Sequence, residues 1–221
     1  MDEMSDVDQI RTSFLHQLVA TAPGRQHLLS ISVDAEEGDE SGIFDQLAGL
    51  VDDPAVRRIV ERHRDDEVRH AQLFRDCLTR LGLEKQPTPD AMRIIRQVGE
   101  STGRPEGVAL TRDDIPATYA LLLAIEERGV EQFPFIAAAF DYVDTETAEV
   151  YRRVARDERG HVKYCQSIGR RYAGDDDTWD ALVDDARAIE ADAFLHVGLA
   201  NIAHCGEQGW VDADDLLTPA G

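Results

Sequence analysis

Asp66-Glu67-Val68-Arg69-His70 and Asp157-Glu158-Arg159-Gly160-His161 are two copies of one pattern, Asp-Glu-x-x-His. Each lies near the middle of a segment with helical hydrophobic spacing. In a helix, positions i and i+3 share a face, so Glu67 projects with His70 and Glu158 with His161. A carboxylate oxygen and an imidazole nitrogen one turn apart are what a metal ion can take from a single helix.

Working upstream, 31 positions separate Glu36 from Glu67, and 31 separate Glu127 from Glu158. In an antiparallel hairpin that distance is about four turns up, a short corner and four turns back. Each half of the chain then supplies two Glu and one His, enough in total for two cations side by side. Glu36 and Glu127 are the chosen partners. Their neighbours Glu37 and Glu126, and Glu40 and Glu131 one turn later, remain alternatives, with Glu40 or Glu131 as a further carboxylate able to swing onto a metal. His63 lies four residues before Glu67 on the same face and is a candidate additional ligand.

The flanking sequence gives the architecture. Hydrophobic spacing is helical nearly throughout, with no alternating stretch of strand length. A short helix is expected over Val7–Ala20, ending near Pro23-Gly24, and a longer one from about Leu28 to Leu50. Asp52-Asp53-Pro54 marks a break and a new helix start, running to a stop at Gly82. Pro87, Pro89, Gly99, Gly103, Pro105 and Gly107 punctuate Glu84–Asp114, which reads as a crossover with helix only at Ala91–Val98. Further helices follow at about Ile115–Tyr142, with a kink expected at Pro134, at Thr145–Tyr172, and at Trp179–Cys205 behind an Asp175-Asp176-Asp177 cap. The expected fold class is therefore all-α. It is one domain over residues 1–221, an antiparallel four-helix bundle (core about 28–172) with one long crossover and accessory helices at about 7–20 and 178–205.

The chain has 221 residues, 23 basic and 44 acidic, for a net charge of −21. Such a charge disfavours nucleic acids and anionic membranes. No apolar run approaches the roughly 20 residues of a membrane helix, and Met1–Asp6 lacks the basic and apolar regions of a secretion signal. Cys77, Cys165 and Cys205 are widely spaced, as expected of buried thiols in a reducing compartment, so cytoplasm is the expected location. His196 and His204 read as structural.

The doubled motif with its upstream Glu residues resembles the ferritin-like di-iron carboxylate superfamily, over about Leu28–Tyr172. The resemblance implies Glu36, Glu67, His70, Glu127, Glu158 and His161 as ligands to two iron ions. Asp66 and Asp157 would then orient the ligand imidazoles across the bundle. Asp-Glu-x-Arg-His at 66–70 is similar to the motif of oxygen-activating members, such as bacterial multicomponent monooxygenases and ribonucleotide reductase small subunits. In that setting Arg69 braces the supporting acids. His63-x3-Glu67-x2-His70 is similar to the pattern of arylamine N-oxygenases, whose additional His binds one iron.

Carboxylate-rich donors with imidazole suit Fe(II) or Mn(II) better than zinc. The implied function is an O2-dependent di-iron oxidase or oxygenase. It would act on a small organic substrate, admitted near Pro134, Phe135 and Ala138. An external electron donor and a second copy of the chain are candidate partners. A rubrerythrin-like peroxidase, a manganese catalase and a ferroxidase or iron-handling protein are the alternatives.

Overall fold

The computed structural model describes residues 5–37, 42–102 and 108–216. Its helices are α1 (Asp6–Ala20), α2 (Ala22–Glu36), α3 (Ile43–Leu50), α4 (Pro54–Arg80), α5 (Ile94–Ser101), α6 (Ile115–Phe140), α7 (Thr145–Ala173), α8 (Asp176–Glu207) and α9 (Ala213–Leu216), with 3-10 turns at Asp90–Met92 and Arg112–Asp114. No strand occurs among the described residues, and none of their helices is long and apolar enough to cross a membrane.

Helices α2, α4, α6 and α7 form a four-helix bundle of the ferritin-like kind. α2 and α4 are antiparallel: Gln26 bonds the Glu84 carbonyl just beyond α4, whereas Glu36 meets His70 in its middle. α4 and α7 are antiparallel as well, since Arg80 reaches Thr147, Arg69 reaches Asp157, and Asp53 at the head of α4 meets Arg171. Residues 141–144 turn α6 directly into α7.

Local chemistry sets the boundaries. Asp53 caps α4 by accepting from the Ala55 amide at 2.8 Å, and Pro54 takes the first turn, where its missing N–H leaves no bond unmade. Gly82 and Gly174 adopt φ of +69° and +89° just past α4 and α7, conformations that stop a helix and suit glycine.

Three sequence expectations are corrected. Pro23-Gly24 does not end the first helix but lies in the first turn of α2, because Thr21 Oγ1 accepts from the Gly24 amide at 3.0 Å and serves as its cap. The stretch Leu28–Leu50 is two helices, since α2 ends at Glu36 and α3 begins only after Gly42, at φ +62°. Within the crossover the helix is displaced to Ile94–Ser101. Met92 and Val98 are buried there as the segment packs on α8. α6 continues as helix across Pro134 to Phe140.

Two apolar clusters fill the bundle. One gathers Leu18, Leu29, Val33, Phe74, Phe140, Tyr151 and Val154. The other gathers Leu47, Val60, Ile115, Tyr119, Leu123, Cys165, Ile168 and Trp179. Along α4, positions 63–70 fall between Val60 of one cluster and Phe74 of the other. Along α7, positions 158–161 fall between Val154 and Cys165. The doubled motif therefore occupies the waist between two hydrophobic plugs.

α8 closes the outer face of α6. Arg128 grips the buried Glu190 with two bonds of 3.0 and 2.9 Å, and its guanidinium lies 4.3 Å from the Phe194 ring centre. The Trp179 ring, 1% exposed, covers Gly169, where a Cβ would sit 2.1 Å from the ring. Gly169→Ala gains about 1 kcal/mol of helix propensity but forces an overpacked contact typically costing about 1–3 kcal/mol. A net loss of stability is the expected outcome in urea denaturation, with a shift in Trp fluorescence reporting the displaced ring.

Candidate metal centre

Seven acid and imidazole side chains from α2, α4, α6 and α7 converge at the waist. They form two donor groups: Glu36, Glu67, His70 and Glu158, and His63, Glu67, Glu126 and His161. Within each group one ligand atom per residue lies within 4.8 Å of all the others. Glu67 belongs to both. Glu158 also faces both halves, with Oε1 at 3.2 Å from His70 Nδ1 and Oε2 at 2.6 Å from His161 Nδ1. Glu36 Oε2 lies 3.1 Å from His70 Nδ1. In the other half, His63 Nε2 lies 2.9 Å from Glu126 Oε1 and 3.2 Å from Glu67 Oε1.

Several of these contacts are close without being hydrogen bonds. Glu67 Oε1, Glu158 Oε2 and His161 Nδ1 are buried and lack a partner in hydrogen-bonding geometry, despite the 2.6 Å approach of the last two. Buried polar atoms left unpaired are costly. Lone-pair donors crowded around shared points are the arrangement that a cation satisfies, and the chemistry fits: four carboxylates, three imidazoles, no thiolate.

The electrostatics report the same demand for positive charge. Burial, and then the charge of Glu67, pushes the Glu36 carboxyl well above its usual range. Burial, and then Glu158, pushes Glu126 up to about 7. Burial opposes ionisation of Glu158 too, but the adjacent imidazoles of His161 and His70 outweigh it and hold this carboxyl low. For Glu67, His161 and His63 likewise overcome burial. Burial disfavours the charged form of His70, yet Glu158 and Glu36 raise it to about 10. His161 is raised in the same way by Glu126, Glu158 and Glu67.

Behind the donors, the two halves support each other crosswise. Asp157, beside Glu158 on α7, places Oδ2 3.4 Å from His70 Nε2 on α4. Asp66, beside Glu67 on α4, places Oδ2 3.5 Å from His161 Nε2 on α7. Arg69 joins the two acids, with Nη2 at 2.7 Å from Asp66 and 3.1 Å from Asp157. His70 and His161 thus each turn Nδ1 to the donor cluster and Nε2 to an aspartate, which fixes the ring.

Of the sequence candidates, Glu36, Glu67, His70, Glu158, His161 and His63 come together here. Glu127 does not. It is one residue, or 100° of helix rotation, away from the cluster face, and its two oxygens bond Arg187 of α8 at 2.9 and 2.8 Å. Glu126 takes the place instead. Assuming the same 31-residue spacing in both halves misplaced this residue because their corners differ: α3 stands between α2 and α4, but only residues 141–144 separate α6 from α7. The signal was present in the apolar stripe, since Tyr119, Leu122 and Leu123 precede Glu126 by seven, four and three residues and are all buried with it.

Glu37 pairs with Arg75, and Glu131 pairs with Arg11 and Arg128, so both face away from the cluster. Glu40 lies outside the described residues. His196 is exposed and bonds the Asp192 carbonyl of its own helix. Pro134 and Ala138 are exposed, whereas Ala137 and Ala139 pack in the core. A cavity of about 510 Å³ opens elsewhere, bounded by Glu36, Phe44, Glu67, Val68, Ala71 and Arg93 among others.

No family model and no solved structure matches this chain. A bacterioferritin from Desulfovibrio desulfuricans is 26% identical over 119 residues, which cover 53% of this chain. The match spans 58% of that relative's length. Taken with the antiparallel four-helix core and its paired Asp-Glu-x-x-His helices, this likeness places the chain in the ferritin-like superfamily.

Proposed function

We propose that the chain is an iron-binding oxidase that takes up Fe(II) at two adjacent positions and oxidises it with O2. The reading rests on one observation above all, the pair of buried donor groups that share Glu67. The likeness to a bacterioferritin supports iron handling ahead of the other oxidative chemistries. Two bound Fe(II) ions supply one electron each to O2, which leaves with two protons as hydrogen peroxide.

The protein's part is to hold the donors. Glu67 and Glu158 face both halves, Glu36 and His70 complete one, and His63, Glu126 and His161 complete the other. Asp157, Asp66 and Arg69 keep His70 and His161 turned inward. The apolar plugs close the waist off above and below along the bundle.

A second reading is supported by the cavity itself. It reaches Glu36 and Glu67 and carries the apolar surface of Phe44, Val68 and Ala71, a setting for a small organic substrate. Oxidation of such a substrate would draw on an external electron donor. Manganese in place of iron would favour peroxide chemistry instead.

Anaerobic titration of the full chain with Fe(II) should saturate at about two ions per chain. Admitting O2 should then consume about one O2 per two Fe(II), with hydrogen peroxide formed. O2 uptake that waits for an organic compound and a reductant would shift the function to the second reading; absence of iron binding would remove both.

Glu126→Ala should lower bound iron by about one ion per chain, whereas Glu127→Ala, which only breaks an exposed pair, should leave metal content unchanged. Arg69→Ala should weaken iron binding about 10- to 100-fold by releasing the two aspartates that aim the imidazoles, as read from equilibrium competition with a chelator.

A further inference from the structure

The two halves of the centre are chemically unequal. One offers a single imidazole, His70, with the carboxylates Glu36, Glu67 and Glu158. The other offers two imidazoles, His63 and His161, with Glu67 and Glu126. His63 is built in rather than loosely placed. It is 1% exposed, and its ring centre lies 4.0 Å from that of His161 and 4.4 Å from that of Phe44.

Access is unequal in the same sense. The cavity of about 510 Å³ is bounded by Glu36 of the first group and by the shared Glu67, and by none of the other five donors. Phe44 stands between, lining the cavity and packing on His63. The one-imidazole half therefore meets the cavity through Glu36, while on the two-imidazole half the Phe44 ring lies between the cavity and His63.

Donor type decides which metal each half prefers. Imidazole nitrogen favours the later first-row ions, whereas carboxylate oxygen suits Mn(II) comparatively better. We propose that the centre discriminates between its two positions and assembles as a mixed-metal pair when two metals are offered. The later-row ion would sit in the screened His63–His161 half and the harder ion in the cavity-facing Glu36–His70 half. This rests on the reading of the cluster as a dinuclear metal centre and goes beyond it in assigning the halves different selectivity.

The test uses Zn(II) and Mn(II), which need no O2 and no turnover. Metal-free full-length protein is given Mn(II) in excess with about one equivalent of Zn(II) per chain, then freed of unbound metal. The expected product holds about one Zn and about one Mn per chain, and its Mn(II) electron paramagnetic resonance spectrum is that of isolated ions. His63→Leu equalises the imidazole count of the halves, so in this variant the same treatment should restore spin-coupled Mn pairs through random mixing. A statistical mixture with coupled pairs in the unaltered protein would overturn the selectivity while leaving a dinuclear centre intact. Retained selectivity in His63→Leu would overturn the role of His63, and failure to bind either metal would remove the centre itself. The unaltered protein carries the main outcome, so the test does not depend on how the variant folds.

Discussion

Carboxylates surrounded by hydrocarbon require positive charge at close range, and that requirement organises the waist of this bundle. Glu36, Glu126 and Glu158 are each less than one-tenth exposed, with Glu67 between them. Holding one ion away from water costs several kcal/mol even after the surroundings relax. Burial first, and then repulsion between like charges, holds Glu36 and Glu126 high, whereas at Glu67 and Glu158 the imidazole contacts outweigh burial and hold the carboxyls low. A fold that placed these groups together for structural reasons alone would gain more from apolar residues of the same size. Their convergence is the physical argument for a metal centre.

The rest of the molecule makes that convergence tolerable. The clusters around Phe74 and Tyr151 on one side, and Leu123 and Trp179 on the other, bury enough apolar surface to hold four helices in register. The helices cross the waist with their polar faces inward, and the crosswise Asp–His contacts tie α4 to α7 there. Arg69 acts on both contacts at once, so the two halves are coupled through one guanidinium. α8 adds a separate restraint: its buried Glu190 holds Arg128 of α6 with two bonds.

Much of this was legible in the sequence, and the failures are as informative as the successes. The Glu-x-x-His pairs declare themselves because helix geometry alone puts both side chains on one face. The four core helices follow from their spacing and from stops such as Gly82 and Gly174. Glu126 was misassigned to its neighbour because a distance counted along the chain passes through a corner, and corners are set by local turn chemistry rather than by the repeat. His63 was legible only as a candidate, since nothing local distinguishes a buried imidazole from an exposed one. Its burial depends on Phe44, and Phe44 depends on α3 folding as a separate short helix, which the continuous pattern from Leu28 to Leu50 conceals.

That short helix is also where the two halves of the chain part company. Had the α2–α4 corner been as brief as residues 141–144, no aromatic side chain from it would reach His63, and the two donor groups would be framed alike. The longer corner lets α3 lie against α4 and set Phe44 over one half of the centre while leaving Glu36 at the edge of the cavity. The repeated motif supplies near symmetry, and the unequal corners break it. Any chemistry that needs one position sheltered and one approachable is favoured by the difference between a four-residue turn and a helix-bearing corner, not by a change in the motif itself.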